Sequence, residues 1–254
     1  MISFISNLAR EAGNICLEER TRLSSEDLSF KSAKDIVTVA DQRVEAFIVS
    51  TIKESYPDHS ILGEETGATS GSAPFRWIID PIDGTTSFVH NQPFYGVSIA
   101  LEENGSIIAG VVYAPVFDEL FVAEKGNGAS LNRKPIRVSE TTRMDQAVMA
   151  TGFACLRAGW AENNLTYLNR IAPELRDVRR YGSAALDLCY TACGRLDGYW
   201  EMNLNLYDIA AGVLILREAG GIVSDFKGGE EFPQTGLAAA PPDLHTKLID
   251  YLKN

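Results

Sequence analysis

The sequence predicts a layered fold that mixes α+β and α/β organisation, on three observations. Apolar residues recur at helical spacing at the start, a β-rich middle is broken by tight turns, and strands alternate with helices thereafter. At 254 residues the chain can bury a sizeable core, as one domain or as two halves sharing an interface.

Ile2, Ile5, Leu8, Ala9, Ala12 and Ile15 mark a first helix, and Val44, Phe47, Ile48 and Ile52 mark a second after Asp41. Between them, 31–40 reads as an extended connection bordering the functional site. It ends in VTVAD, where β-branched residues favour strand-like backbone and Asp41 can cap the next helix. Lys31 in this segment either approaches the site or is solvated. RWIID (76–80) reads as a buried strand. YGVSIALEE (95–103) pairs with SIIAGVVYAP (106–115) across Asn104-Gly105. ELFVAEKG (119–126) and the turns to Asn132 follow, and IRVS (136–139) is expected as the strand closing the first half. A boundary near 140 then separates an N-terminal α+β half (1–140) from a C-terminal α/β half (141–254).

The second half reads as strand 147–153, helix 161–171, strand 178–182, helix 183–193, strand 197–202, helix 208–219, strands 222–226 and 237–240, and helix 243–252.

Apolar residues at 45% and charged residues at 22% are ordinary globular usage. The net charge of −11 repels a polyanionic backbone, which makes nucleic acid a poor default partner. A phosphorylated small molecule would be repelled too, unless bound cations locally reverse the sign of its site. No stretch approaches the roughly 18 apolar residues of a membrane span, and 1–12 lacks the basic start and unbroken apolar run of a leader. Cys16, Cys155, Cys189 and Cys193 show no disulfide spacing, which fits a reducing cytoplasm. Cys189 and Cys193 lie four apart and could share a helix face, but packing as small hydrophobes is the stronger reading. His59, His90 and His245 are scattered, without zinc spacing.

Three acidic groupings interrupt this scaffold: Gly63-Glu64-Glu65, then Asp80-Pro81-Ile82-Asp83-Gly84-Thr85-Thr86, then Asp208 at a helix start. Glu64 alone reads as a surface residue and Asp208 alone as a helix cap; the middle run is the specific one. Asp80 ends an apolar strand, at the edge where open α/β sheets place ligands. Pro81 and Gly84 shape a turn that returns Asp83 toward Asp80, and the Ile82 carbonyl can add a third hard oxygen. Oxygen ligands without His or Cys favour Mg2+ or Mn2+ over zinc. The amides of Gly84, Thr85 and Thr86 can donate to a phosphate.

At these residues the chain resembles the inositol monophosphatase family over nearly its whole length, through DIVTVAD (35–41), GEE (63–65), WIIDPIDGTTSF (77–88), YGSAA (181–185) and YWEMNLNLYDIAAG (199–212) in that order. The resemblance implies an αβαβα sandwich of the sugar-phosphatase type, a homodimer, and Mg2+-dependent hydrolysis of a small polyol phosphate such as inositol monophosphate. It implies that Glu64, Asp80 and the Ile82 carbonyl hold one ion, that Asp80, Asp83 and Asp208 hold a second, and that a weaker third sits near Glu64. The resemblance also implies that a metal-activated water attacks phosphorus directly, oriented or deprotonated by Thr85 and Asp41, with no phosphoenzyme. It implies further that Asp83, Gly84 and Thr85 touch the substrate, that Glu201 reads its hydroxyls, and that Gly182, Ser183 and Ala185 line that side.

Two positions depart from the family pattern: Tyr207 stands where Trp is usual, and Ser87 where Asn is frequent. Neither removes a ligand. The neutral Thr86 favours inositol or sugar phosphates over nucleotide or histidinol phosphates. Fructose 1,6-bisphosphate remains an alternative if Arg179 or Arg180 reaches a second phosphate. Histidinol-phosphatase activity, a sensor that binds without hydrolysis, and a protein- or RNA-machinery binding module with a retained phosphatase site also stay open.

Overall fold

The structure, a computed structural model, describes residues 1–23, 28–32, 35–233 and 235–253, with 28–32 and 35–37 as backbone alone. The side chains of Lys31 and of Asp35, Ile36 and Val37 in the DIVTVAD motif lie outside the described residues.

Helix α1 (Ile2–Arg22) buries Ile5, Leu8, Ala9 and Ala12 of the predicted stripe, with Ile2 and Ile15 partly buried, and adds Cys16. The segment expected to be a loop is an antiparallel ribbon of β1 (Leu28–Ser32) and β2 (Asp35–Thr38). Helix α2 (Val39–Ser55) follows, and its cap corrects the sequence reading. Thr38 is the N-cap, its hydroxyl accepting from the Ala40 and Asp41 amides, while Asp41 answers from the third position of a capping box.

Strands β3 (Ser60–Gly63) and β4 (Gly67–Thr69) lead into β5 (Phe75–Asp83). β5 runs three residues past its expected end at Asp80. Its pairing with β6 shifts register between Asp80 and Asp83, so the acidic motif is an irregular strand end, where Pro81 is tolerated. α3 (Thr85–Val89) begins beyond it. β6 (Gly96–Glu103) and β7 (Ser106–Ala114) form the predicted hairpin, with Asn104 and Gly105 both at positive φ. β8 (Glu119–Glu124), β9 (Ala129–Leu131) and β10 (Lys134–Pro135) complete an eight-stranded sheet ordered β10-β9-β8-β7-β6-β5-β3-β4. IRVS is not a strand; its Val138 amide donates instead to the Ala219 carbonyl at 3.1 Å.

The second half contributes β11 (Val148–Thr151), α4 (Ala154–Arg157), α5 (Asn164–Ile171), β12 (Asp177–Arg179), α6 (Ala184–Ala192) and β13 (Gly198–Glu201). α7 (Leu206–Glu218), β14 (Ile222–Ser224), β15 (Leu237–Ala240) and α8 (Pro242–Lys253) follow. Its five strands are ordered β12-β11-β13-β15-β14. α5 starts later than expected because Asn163 caps it, and α7 starts earlier, with Asp208 at its third position.

Three cores define the layers. Trp77 and Ile79 of β5 face α1 and α2, whereas Ile78 faces α6 and α7, the two-residue alternation of a strand. Tyr199 and Ala239 complete the middle core with Leu186, Leu188 and Ile215, while Trp200, Ala238 and Ala240 pack outward against Leu244 and Leu248 of α8. The result is an α-β-α-β-α sandwich, with α6 and α7 buried between the sheets.

Candidate active site

The acidic residues converge where the end of β5 meets the N-termini of α6 and α7. Asp80 is 1% and Asp83 9% exposed, and oxygens of Asp80, Asp83 and Asp208 all lie within 4.8 Å of one another. An open cleft lies over them, bordered by Glu64, Asp80, Ile82, Asp83, Gly84, Thr85, Thr86, Arg157, Gly182 and Asp208.

Each carboxylate is held by one oxygen. Asp80 Oδ1 accepts from the Ile82 amide at 3.1 Å, and Asp208 Oδ2 from the Asn205 amide at 2.6 Å. Asp83 Oδ2 accepts from the Ser183 hydroxyl and the Ala185 amide, both at 2.6 Å, so an acid of the first sheet anchors the start of α6. Among the described residues the second oxygen of each takes no hydrogen bond.

Burial pushes all three carboxyls up. The charges acting most strongly on Asp80 are other carboxylates, Glu64, Asp83, Asp208 and Asp41. Asp83 rises to about 7 despite its two donors, and Asp208 rises through burial and then through Asp83. Hard oxygens arranged to repel one another, with one face of each unused, fit a divalent cation of the magnesium or manganese class. Asp80, Asp83 and Asp208 could hold it, with Glu64 bordering the same cleft.

Asp41 is buried beside Thr85 and does not itself border the cleft. Its Oδ2 accepts from the Thr38 amide (2.8 Å) and hydroxyl (2.6 Å), and burial raises it to about 7. Its Oδ1 faces the Thr85 hydroxyl at 3.4 Å, a long contact, while the same hydroxyl lies 3.2 Å from the Ile82 carbonyl. Gly84 makes the approach possible: its φ is +96°, and a Cβ there would fall 2.7 Å from the Phe94 carbonyl.

Glu201 is buried. Its two oxygens accept from the Ala154 amide (2.9 Å) and the Tyr199 hydroxyl (2.8 Å). Glu201, Ser183 and Ala185 do not border the cleft, whereas Gly182 does. Ser87 donates to the Tyr181 carbonyl at 3.2 Å, another link between the halves. Arg179 is paired with Asp177 at 2.6 Å; Arg180 lies over Gly182, whose Cβ would meet its Nη1. The cysteines are free, and no metal-ligand cluster among the described residues includes Cys189 or Cys193.

Two charged groups near the site were missed in the sequence. Arg157 is the last residue of the short helix α4, with no motif to mark it, yet among the described residues it is the cation bordering the cleft. Asp187 did carry a signal, as a lone acid in the apolar run of α6. It is buried, its Oδ1 takes no hydrogen bond, and burial together with the charges of Glu201 and Asp83 raises it.

A profile of the inositol monophosphatase family matches residues 1–254. The chain is 41% identical over 255 residues to the Nus factor SuhB of Pasteurella multocida, covering 100% of this chain and 96% of that one. It is 41% identical over 250 residues to the inositol-1-monophosphatase of Mesorhizobium japonicum, covering 98% and 94%. The crystal structure of the extragenic suppressor protein suhB of Bartonella henselae superposes with a TM-score of 0.94 at 40% identity, covering 99% and 98%. With the sandwich and the carboxylate cleft, these matches establish that the chain belongs to the inositol monophosphatase family and is a phosphomonoesterase.

Proposed function

We propose that the protein hydrolyses a small polyol phosphate, inositol monophosphate first among them, with Mg2+ as its working ion and Mn2+ as a substitute. The observation that carries this reading is the set of carboxylates each held by one oxygen and, among the described residues, free on the other. A divalent cation bound there offsets phosphate charge and acidifies nearby water.

The chain's own groups supply the rest. Asp80, Asp83, Asp208, Glu64 and the Ile82 carbonyl set the oxygen cage. The amides of Gly84, Thr85 and Thr86 face the phosphoryl oxygens. Thr85 and Asp41 orient the attacking water and take its proton; the phosphorus–ester bond breaks as the new bond to water oxygen forms, and the leaving oxygen is protonated from solvent. The 3.4 Å Thr85–Asp41 contact is the kind that tightens when substrate arrives. Glu201 shapes the polyol side from beneath, with Gly182, Ser183 and Ala185.

The decisive experiment is phosphate release with and without Mg2+ from inositol 1-phosphate, fructose 1,6-bisphosphate, histidinol phosphate and adenosine 3',5'-bisphosphate. Mg2+-dependent release led by inositol 1-phosphate supports the reading; no release from folded, metal-loaded protein overturns it. Asp41→Asn is expected to lower kcat by about 10²–10³-fold with KM little changed. Its weakened capping box should cost about 1 kcal/mol of stability, which thermal melts will report.

Arg157 and Arg180 favour a second reading, a substrate carrying another anionic group. Both are exposed, one at the cleft and one over Gly182, and neither forms an ion pair among the described residues. Arg157→Ala should then lower kcat/KM for fructose 1,6-bisphosphate by about 10-fold while sparing inositol 1-phosphate. Equal losses on both would reject that role.

The relatives named Nus factor SuhB keep a binding role open beside catalysis. A turnover-dead variant that still supports the biological role would favour it. No helix among the described residues is long and apolar enough to cross a membrane. We further propose a homodimer, a cytoplasmic location supported by the free cysteines, and a division near 140 supported by the separate residue ranges of the two sheets.

A further inference from the structure

We propose that Glu45 is a positioning residue that sets Glu64 relative to both Asp80 and Asp41, an inference that rests on the metal-dependent reading above. Glu45 lies one turn beyond Asp41 on α2 and is fully buried. Its carboxylate reaches under the turn between β3 and β4. There Oε2 accepts from the Glu65 amide at 3.0 Å and Oε1 from the Thr66 amide at 2.7 Å. The residue on the other side of Glu64 is fitted to the same carboxylate. A Cβ on Gly63 would collide with Glu45 Oε1 and fall 2.7 Å from its Cδ, so glycine leaves the space Glu45 occupies.

Glu64 is thus flanked by neighbours that both depend on Glu45, while its own amide donates to the Ile79 carbonyl at 3.2 Å, one residue before Asp80. One bond references Glu64 to the strand of Asp80. The Glu45 clamp references it to the helix of Asp41. Two converging amides match a two-oxygen anion, whereas a glutamine would present an N–H toward one of them. Groups that orient metal ligands from behind act on the metal through geometry, and their loss typically weakens binding 10- to 100-fold.

The test is calorimetric titration of Mn2+ into the purified protein, well below its melting temperature, for wild type, Glu45→Gln, Glu64→Gln and the double variant. Glu45→Gln should weaken Mn2+ binding about 10- to 100-fold and raise the Mg2+ concentration for half-maximal phosphate release in step. In the Glu64→Gln background it should have little further effect, because its influence passes through Glu64. A full second loss in the double variant, or unchanged Mn2+ affinity in folded Glu45→Gln, overturns the proposal. Wild type that binds no Mn2+, or Glu64→Gln that binds it normally, would instead strike the underlying metal assignment. Should Glu45→Gln fail to fold, Gly63→Ala displaces the same carboxylate without removing it. It should weaken Mn2+ binding likewise, and unchanged affinity there overturns the clamp.

Discussion

Asp80→Asn is expected to abolish turnover and, in the metal-free protein at pH 8, to raise the melting temperature. The substitution keeps an acceptor for the Ile82 amide but removes a buried carboxyl whose ionised form is repelled by Glu64, Asp83, Asp208 and Asp41. A protein selected for stability alone would not bury these groups together, so function is the term that retains them. Loss of a cage ligand should lower kcat/KM on the order of 10³-fold or more. Relief of repulsion should add about 1 kcal/mol, a rise of about 2–4 °C for a chain of this size. Phosphate release and calorimetry in EDTA read the two effects separately. A melting temperature lowered by the substitution would show that Asp80 is not under net repulsion.

The second large effect is a stability that falls with pH when divalent cations are absent. Asp41 and Asp83 are pushed up to about 7 in the folded chain, whereas an unfolded aspartate titrates near about 3.9. Between those values the folded protein holds more protons than the unfolded one, so stability is fullest at the acid end and declines as pH rises toward and through 7. Each unit of raised pKa corresponds to about 1.4 kcal/mol, and coupling within the cluster makes the total less than the sum. In EDTA the melting temperature should drop by several degrees from pH 5 to pH 8. Excess Mg2+ should remove much of that slope, because it binds the deprotonated carboxylates. A metal-free melting temperature that climbed over the same interval would contradict this account.

How much was legible in the sequence follows from what each residue depends on. The Asp80-to-Thr86 run could be read because it needs glycine, proline and two acids at fixed offsets, a combination set by local geometry. The Asn104-Gly105 hairpin could be read for the same reason. β5 was cut short because Pro81 signals an end, and only the shifted pairing with β6 shows that the strand absorbs it. The boundaries of α7 blurred because it is apolar on nearly every side between two sheets, so it shows no clean polar face. Asp41 was assigned a cap, but the capping hydroxyl belongs to Thr38. The same carboxylate serves the helix with one oxygen and faces Thr85 with the other. Arg157 and Glu45 depend wholly on tertiary placement, and no offset in the chain announces either.

The bond between Asp83 and the start of α6 separates two questions that a list of acidic residues merges. Asp83 ties the first sheet to α6 through Ser183 and Ala185 whether or not any reaction occurs, whereas among the described residues the Asp80 side chain makes only a local bond to its own strand. A descendant of this architecture that abandoned chemistry for another task could shed Asp80 at no cost to its integrity, yet would be pressed to keep Asp83. In such lineages Asp83 would record ancestry, and Asp80 would record whether the enzyme is still at work.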